Sequence, residues 1–253
     1  MFPKKLPTRL LLPLVLLAAS KGYGWDRIVS GAPNITEIVG ELGAGGQLVG
    51  VGDFCQMSLP KVAGVRMRWE EMLSLRPTRL LLMDSQVEDS GLNLCRALHL
   101  PVLSLSFRSL SDIPANTRSI GDFLDLHLKG EAVASAFERR LDTLPRLAPA
   151  RVIYVLWWNP LRVAGRGSFI GEGLARLGLR TPVEGDGFPQ ISIEQMAAWE
   201  PGLLLYPDDA GPPPKIFVEM GRWRLFSVPG DLWNRPSLAF PRALEGLAHE
   251  LEK

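Results

Sequence analysis

The groups in this sequence best placed for chemistry are aromatic rings and hydrogen-bonding edges. Ala32, Pro33 and Asn34 run together, Asp53 precedes Phe54, Asp84 and Ser85 lead to Gln86, Trp157 and Trp158 precede Asn159, and Asp231 lies two residues before Trp233. Rings supply stacking area while amides and carboxylates read a ligand's periphery, so this set suits a large, flat, partly apolar molecule. It suits a small anion poorly, because Arg and Lys are few among these positions. Catalytic groupings are scarce. There is no Gly-x-Ser-x-Gly elbow and no His-Glu-x-x-His motif. His99, His127 and His249 are scattered, without the spacing to Cys55 and Cys95 that a zinc site needs. Neither an enzyme nor a metal centre is expected. A secreted α/β hydrolase is the weak alternative, since no nucleophile–base pair can be named. Asp208 and Asp209 are adjacent and read as a solvated loop after Pro207. Gly165-Arg-Gly167-Ser-Phe-Ile-Gly171 lacks the Gly-Lys-Ser/Thr ending of a phosphate loop. It reads instead as a turn whose Ser168 caps the next helix.

These residues follow short apolar runs. Runs at 27–30, 48–51, 80–83 and 102–105 read as strands, with helical patterns at 34–42, 69–75 and 91–98. The second half repeats the plan, with strands at 152–156, 203–206 and 225–228 and helices at 169–177, 193–199 and 237–251. Such alternation predicts βα units and parallel sheets, with strands buried on both faces. Ligands of open α/β sheets bind beyond the carboxyl ends of the strands. That rule selects Pro33, Asn34, Asp53, Phe54 and Gln86 from the first half, and Trp157, Trp158, Asn159, Asp231 and Trp233 from the second. Trp69 opens a helix beside the same edge. Trp157 and Trp158 are neighbours in a strand, so they must point to opposite faces, one toward the ligand and one onto a helix. Trp199 and Trp223 fall on helical faces as packing residues. Between the halves, residues 113–148 carry two helical patterns and no strand. In the second, Val133, Phe137, Leu141 and Leu144 recur at helical spacing until Pro145 and Pro149 stop it. A helix over 130–144 would be about 22 Å long, a stiff rod with no Gly/Ser hinge. The expected organisation is an N-terminal lobe at 25–112, linking helices at 113–148 and a C-terminal lobe at 149–253: two Rossmann-like α/β lobes joined by a long α-helix, with the ligand cleft between them.

Residues 1–24 belong to neither lobe. Lys4, Lys5 and Arg9 precede an apolar run at 10–19, and small residues follow at Ala18, Ser20, Gly22 and Gly24. This is the pattern of a cleaved secretory signal, and the run is short of the roughly 20 apolar residues a spanning helix needs. Removing these residues takes four bases and no acid from a chain with 28 Lys and Arg against 27 Asp and Glu, leaving a net charge of −3. That excludes a nucleic-acid footprint, and no polybasic run addresses lipid. Cys55 and Cys95 are an even count in an oxidising compartment. They are read either as one disulfide or as two separate buried thiols.

Several segments resemble the helical-backbone (class III) periplasmic binding proteins of ABC importers for cobalamin, ferric siderophores and haem. The first is Arg27-Ile-Val-Ser-Gly-Ala-Pro-Asn-Ile-Thr-Glu-Ile, followed by Leu42-Gly-Ala-Gly and Leu48-Val-Gly-Val. The others are Trp69-Glu-Glu-Met-Leu-Ser-Leu-Arg-Pro, Ile191-Ser-Ile-Glu-Gln-Met-Ala-Ala-Trp-Glu-Pro and Asn234-Arg-Pro-Ser before a final helix. The likeness is nearest to the cobalamin-binding branch. Arg68 stands where many members carry Asn, and the loop after Phe54 is shorter than theirs. The resemblance implies a monomeric periplasmic carrier with no cofactor, a corrinoid as transported ligand, and an importer permease as partner. A ferric siderophore or haem is the alternative ligand. It further implies that Glu70 and Glu194, one per lobe, dock the importer.

Overall fold

The computed structural model describes residues 26–200 and 202–253; the expected signal segment lies outside them. The first half lays down β1 (Ile28–Ser30), α1 (Pro33–Glu41), β2 (Leu48–Gly52), β3 (Lys61–Ala63), α2 (Trp69–Ser74), β4 (Arg79–Met83), α3 (Asp89–Ala97) and β5 (Val102–Leu105). All pairings are parallel, in the order β3-β2-β1-β4-β5. The strands are mostly apolar because both faces of the sheet are covered. Ile28 and Leu81 enter an inner core, whereas Val29, Leu80 and Leu82 enter an outer one beneath α2 and α3. Strand β3 escaped the sequence reading. It is a three-residue edge strand behind Pro60 that sends only Val62 and Ala63 inward.

Next come α4 (Asp112–Phe123) and α5 (His127–Asp142). The expected rod is therefore one arm of a braced helical hairpin. Gly121 and Gly130 let the helices meet backbone to backbone, since a Cβ on Gly121 would stand 2.8 Å from the Gly130 Cα. Arg118 forks onto Glu131 at 2.7 Å and Glu138 at 2.8 Å.

The second half contains β6 (Ala150–Trp158), β7 (Leu161–Val163), α6 (Phe169–Arg176), β8 (Leu179–Arg180), α7 (Ile193–Ala197), β9 (Leu203–Pro207), α8 (Lys215–Glu219), β10 (Arg224–Val228), α9 (Gly230–Trp233) and α10 (Phe240–Leu251). Its sheet runs β10-β9-β6-β7, with β8 also on β6, and only β7 is antiparallel. Alternation again divides the strands, with Val152 and Tyr154 inward and Ile153 and Val155 outward beneath α7 and α8.

The inner faces of both sheets, with α1, α4, α5, α6 and α10, share one continuous hydrophobic core. Polar contacts reinforce the join. The Phe169 amide donates to the Arg108 carbonyl at 3.1 Å, the Leu110 amide donates to Glu172 Oε2 at 2.7 Å, and Arg140 on α5 pairs with Glu245 on α10 at 2.6 Å. A shared core and these ties leave little for a hinge to bend. In each sheet the chain reverses its order of addition once, between β1 and β4 and between β6 and β9. Ligands settle at the carboxyl ends of strands flanking such a reversal.

Candidate functional site

In the first lobe, the reversal is filled by the protein itself. The buried Gln86 side chain donates to the carbonyls of Gly31 and Gly64, both at 2.8 Å, and accepts from the Met83 amide at 3.0 Å. Gln86, expected to read ligand, is a stitch between strand ends. Asp53 is similarly engaged. Arg68 donates to both its oxygens, at 2.6 and 3.1 Å, which holds the carboxyl below its ordinary range. Arg68 also binds Glu71 at 2.9 Å and the Lys61 carbonyl. The Trp69 ring packs into the outer core, in a gap that only Gly91 of α3 leaves open; a Cβ there would come within 1.9 Å of the indole. That contact turns Trp69 toward α3, correcting its expected role in the cleft. Phe54, in contrast, is 77% exposed at the end of β2. Pro33 opens α1 after Ala32, which offers no capping side chain. Asn34 beside it is buried with its carboxamide nitrogen unpartnered.

In the second lobe the two adjacent tryptophans separate as period two requires. Trp157 is 56% exposed. Trp158 packs against Tyr206 and Phe217 in the outer core, at centroid distances of 5.7 and 5.4 Å. Asn159 is exposed where β6 turns into β7, and Asp231 is exposed in the first turn of α9. Trp233 is another correction: only 1% of it is exposed, because it stacks on Tyr154 at 5.4 Å and meets Phe240 edge-on. Asp208 and Asp209 do more than line a loop. Asp208 accepts from the Gly230 amide at 2.9 Å, and Asp209 faces Asn234, whose Oδ1 takes the Tyr154 hydroxyl at 2.7 Å. Burial, with these two carboxylates nearby, drives the Tyr154 phenol well above its usual range. The glycine-rich turn is not a phosphate cradle. The amides of Gly165, Arg166, Gly167 and Ser168 all donate to backbone carbonyls, and Ser168 Oγ caps α6 by accepting from Gly171.

The cysteines are free thiols on opposite faces of the first sheet. Cys55 lies in the inner core, 3.3 Å from Thr36 Oγ1, and Cys95 lies in the outer core, where burial raises its pKa. The sheet between them forbids the disulfide. Among the described residues no group of three or more His, Cys, Asp or Glu could hold a metal ion. Two recesses flank α5, one lined by Glu37, Val133, Arg140 and Arg242 and the other by Leu110, Glu138, Glu172 and Arg176. Neither takes a residue from the strand ends.

What remains on the strand-end edge is Pro33, Asn34 and Phe54 from one lobe and Trp157, Asn159 and Asp231 from the other. A model of the family described as periplasmic binding protein matches residues 28–209. The chain belongs to the periplasmic binding protein family. It is a binding protein and not an enzyme. The family's vitamin B12-binding protein from Vibrio cholerae serotype O1 is 26% identical over 204 residues, covering 76% of this chain and 74% of that one. The crystal structure of the periplasmic vitamin B12-binding protein of Vibrio cholerae aligns over 90% of this chain and 96% of that one, with TM-score 0.72 and 22% identity. A periplasmic haem-binding protein from Roseiflexus sp. RS-1 aligns over 89% and 97%, with TM-score 0.76 and 23% identity. These two structures establish the shared fold: two α/β lobes joined by helices.

The sequence reading missed the basic side chains of this edge. Arg68 before α2 reaches Asp53 beyond β2, Arg108 stands three residues beyond β5, and Arg162 in β7 pairs with Trp157, against the expectation that cations would be few there. The strand-end rule, applied to β5 as it was to β1, β2 and β4, would have selected Arg108.

Proposed function

We propose that this binding protein is an exported carrier for cobalamin or a related corrinoid, which it delivers to an ABC importer. The observation that carries the reading is the pair of exposed aromatic rings, Phe54 at the end of β2 and Trp157 near the end of β6, one on each lobe's strand-end edge. Rings so placed offer stacking area to a broad macrocycle held between lobes, and Asn159 and Asp231 offer hydrogen bonds to its periphery. The vitamin B12-binding relative supports the same ligand class. Haem, the second ligand with structural neighbours of this fold, takes an axial side chain on its iron. Here Tyr154 gives its hydroxyl to Asn234, Tyr206 packs on Trp158, His99 precedes β5, His127 opens α5 and His249 lies in α10. A corrinoid brings its own cobalt ligands and needs none of these. Absorbance titration of residues 25–253 with cobalamin, haem and a ferric hydroxamate tests the reading. A corrin spectrum that stays with the protein through gel filtration at the monomer position is expected; retention of haem or the iron chelate alone overturns it.

Export by the segment 1–24 places this carrier outside the cytoplasm. No helix among the described residues is long and apolar enough to cross a membrane. Glu70 and Glu194 are exposed in the first turns of α2 and α7, the latter capped by Ser192. Each has a local reason to stand there, since a helix N-terminus favours an acid. One acid per lobe also matches a two-fold importer that offers the same basic site on each half. The double variant Glu70→Arg/Glu194→Arg should keep ligand affinity and lose capture by the reconstituted importer, most steeply at low salt.

A further inference from the structure

Four arginines near the strand ends have partners that use or direct them. Arg68 spreads its donors over Asp53, Glu71 and the Lys61 carbonyl. Arg162 leans on the Phe188 carbonyl at 3.1 Å, Arg166 pairs with Glu184 at 2.7 Å, and Arg235 donates to the Asp231 carbonyl at 2.9 Å. Arg108 differs in place. It stands three residues beyond β5, where its carbonyl takes the Phe169 amide at the start of α6, so it sits where the two lobes touch. Its backbone is pinned from the other side as well, because Asp112 Oδ2 accepts from the amides of Arg108 and Ser109 at 2.7 and 2.9 Å. Those bonds occupy Oδ2 of the Asp112 carboxylate. The side chain is 78% exposed, and among the described residues its one hydrogen-bonded ion pair is to Asp84 beyond β4, at 3.2 Å. A guanidinium has five N–H donors in a fixed fork, so most of this one is unspent. An exposed pair of this kind contributes little and exchanges readily for a better acceptor.

We propose that Arg108 recognises an anionic group of the cleft's ligand, a phosphodiester or a carboxylate, at the junction of the lobes. This deepens the corrinoid reading and rests on it for the source of the charge, because cobalamin carries one phosphodiester in its nucleotide loop. A clamped backbone with a free fork is pre-organised for such a contact, which lowers the cost of ordering the side chain on binding. Arg108 would then separate corrinoids with the phosphodiester from those without it, a discrimination that aromatic stacking alone cannot make.

The test is fluorescence or calorimetric titration of the parent, Arg108→Gln and Arg108→Lys with cobalamin, with cobinamide (which lacks the phosphodiester), with haem and with haem dimethyl ester. Arg108→Gln should weaken cobalamin about 10- to 100-fold, the range of a charge-assisted hydrogen bond, and leave cobinamide unchanged. Arg108→Lys should fall between, keeping charge but losing the fork. Added salt should weaken cobalamin binding by the parent more than by Arg108→Gln. Unchanged melting temperatures guard against misfolding. If the parent takes haem instead, and Arg108→Gln weakens haem but not its dimethyl ester, the corrinoid reading falls while the anion contact stands on a carboxylate. Equal losses for the ligand with the anionic group and its counterpart without it, or no loss for either, overturn the role of Arg108; where the parent binds cobalamin, the corrinoid reading stays intact. A parent that binds none of the four overturns both.

Discussion

The two lobes hold their strand ends by different means. In the first lobe the ties are polar, with Gln86 bridging Gly31, Gly64 and Met83 while Arg68 grips Asp53. In the second, ring packing joins them, with Trp233 against Tyr154 and Phe240 and Trp158 against Tyr206 and Phe217, beside the Asp208–Gly230 and Tyr154–Asn234 hydrogen bonds. The consequence is an inversion of what residue type suggests. In the first lobe Gln86 and Asp53, which look like ligand readers, are consumed, which leaves Phe54 exposed and the Asn34 carboxamide nitrogen unpartnered. Rings that look like a stacking platform in the second lobe are mostly consumed, which leaves Trp157. Exposure and unspent donors, rather than chemistry alone, mark the residues available to a ligand.

The contrast can be broken most severely at Trp233. Trp233→Ala should cost about 3–5 kcal/mol of unfolding free energy, as for a large ring removed from a closed core. Chemical denaturation measures this, and a loss below about 1 kcal/mol would show that the ring is not structural. Gln86→Met comes next. It keeps the volume but leaves two carbonyls and an amide unpartnered, for a loss of about 1–3 kcal/mol. If the variant instead keeps its stability and loses ligand, Gln86 is a reader after all. Phe54→Ala and Trp157→Ala should do the reverse. Each is expected to weaken cobalamin by about 1–3 kcal/mol while changing stability by no more than about 0.5 kcal/mol. Full affinity in both variants would misplace the cleft.

The smallest effect is expected away from the strand ends, at Glu37 on α1. Burial raises its carboxyl pKa, and Arg235 only partly opposes this. A raised folded-state pKa means that the folded protein holds this proton more tightly than the unfolded chain. Its stability contribution is therefore greatest at low pH and declines as pH rises through the unfolded and then the folded value. Glu37→Gln should raise the melting temperature at pH 7, and the gain should vanish below about pH 4, where the carboxyl is neutral in both states. A gain that persists at acid pH would assign the effect to packing instead.

Much of the architecture is legible in sequence because strand and helix periods are local. The alternation of Ile28 with Val29, and of Leu80 with Leu81, already requires a sheet covered on both faces, and Val133, Phe137 and Leu141 require a helical face. Short elements were the exception: Lys61–Ala63, Leu161–Val163, Leu179–Arg180, Lys215–Glu219 and Gly230–Trp233 run two to five residues, too short to show a period. The opposite orientations of Trp157 and Trp158 followed from their adjacency alone, but which one faced outward did not. That depended on Phe217 and Tyr206 being present to receive Trp158.

Sequence by itself determined the alternating βα plan of the longer elements and pointed to the strand-end edge as the place for a ligand, since each follows from patterns a few residues long. Tertiary structure alone decided which groups on that edge are free. Gln86 meets Gly31 across 55 residues, Tyr154 meets Asn234 across 80, and Asp53 meets Arg68 across 15. Cys55 and Cys95 are 40 residues apart and are kept from meeting by the sheet between them. A hydrogen bond or an ion pair depends on distance in space, which a local pattern does not contain. Arg108 keeps most of its fork open because Asp84 takes one donor and Asp112 Oδ2 is spent on backbone amides.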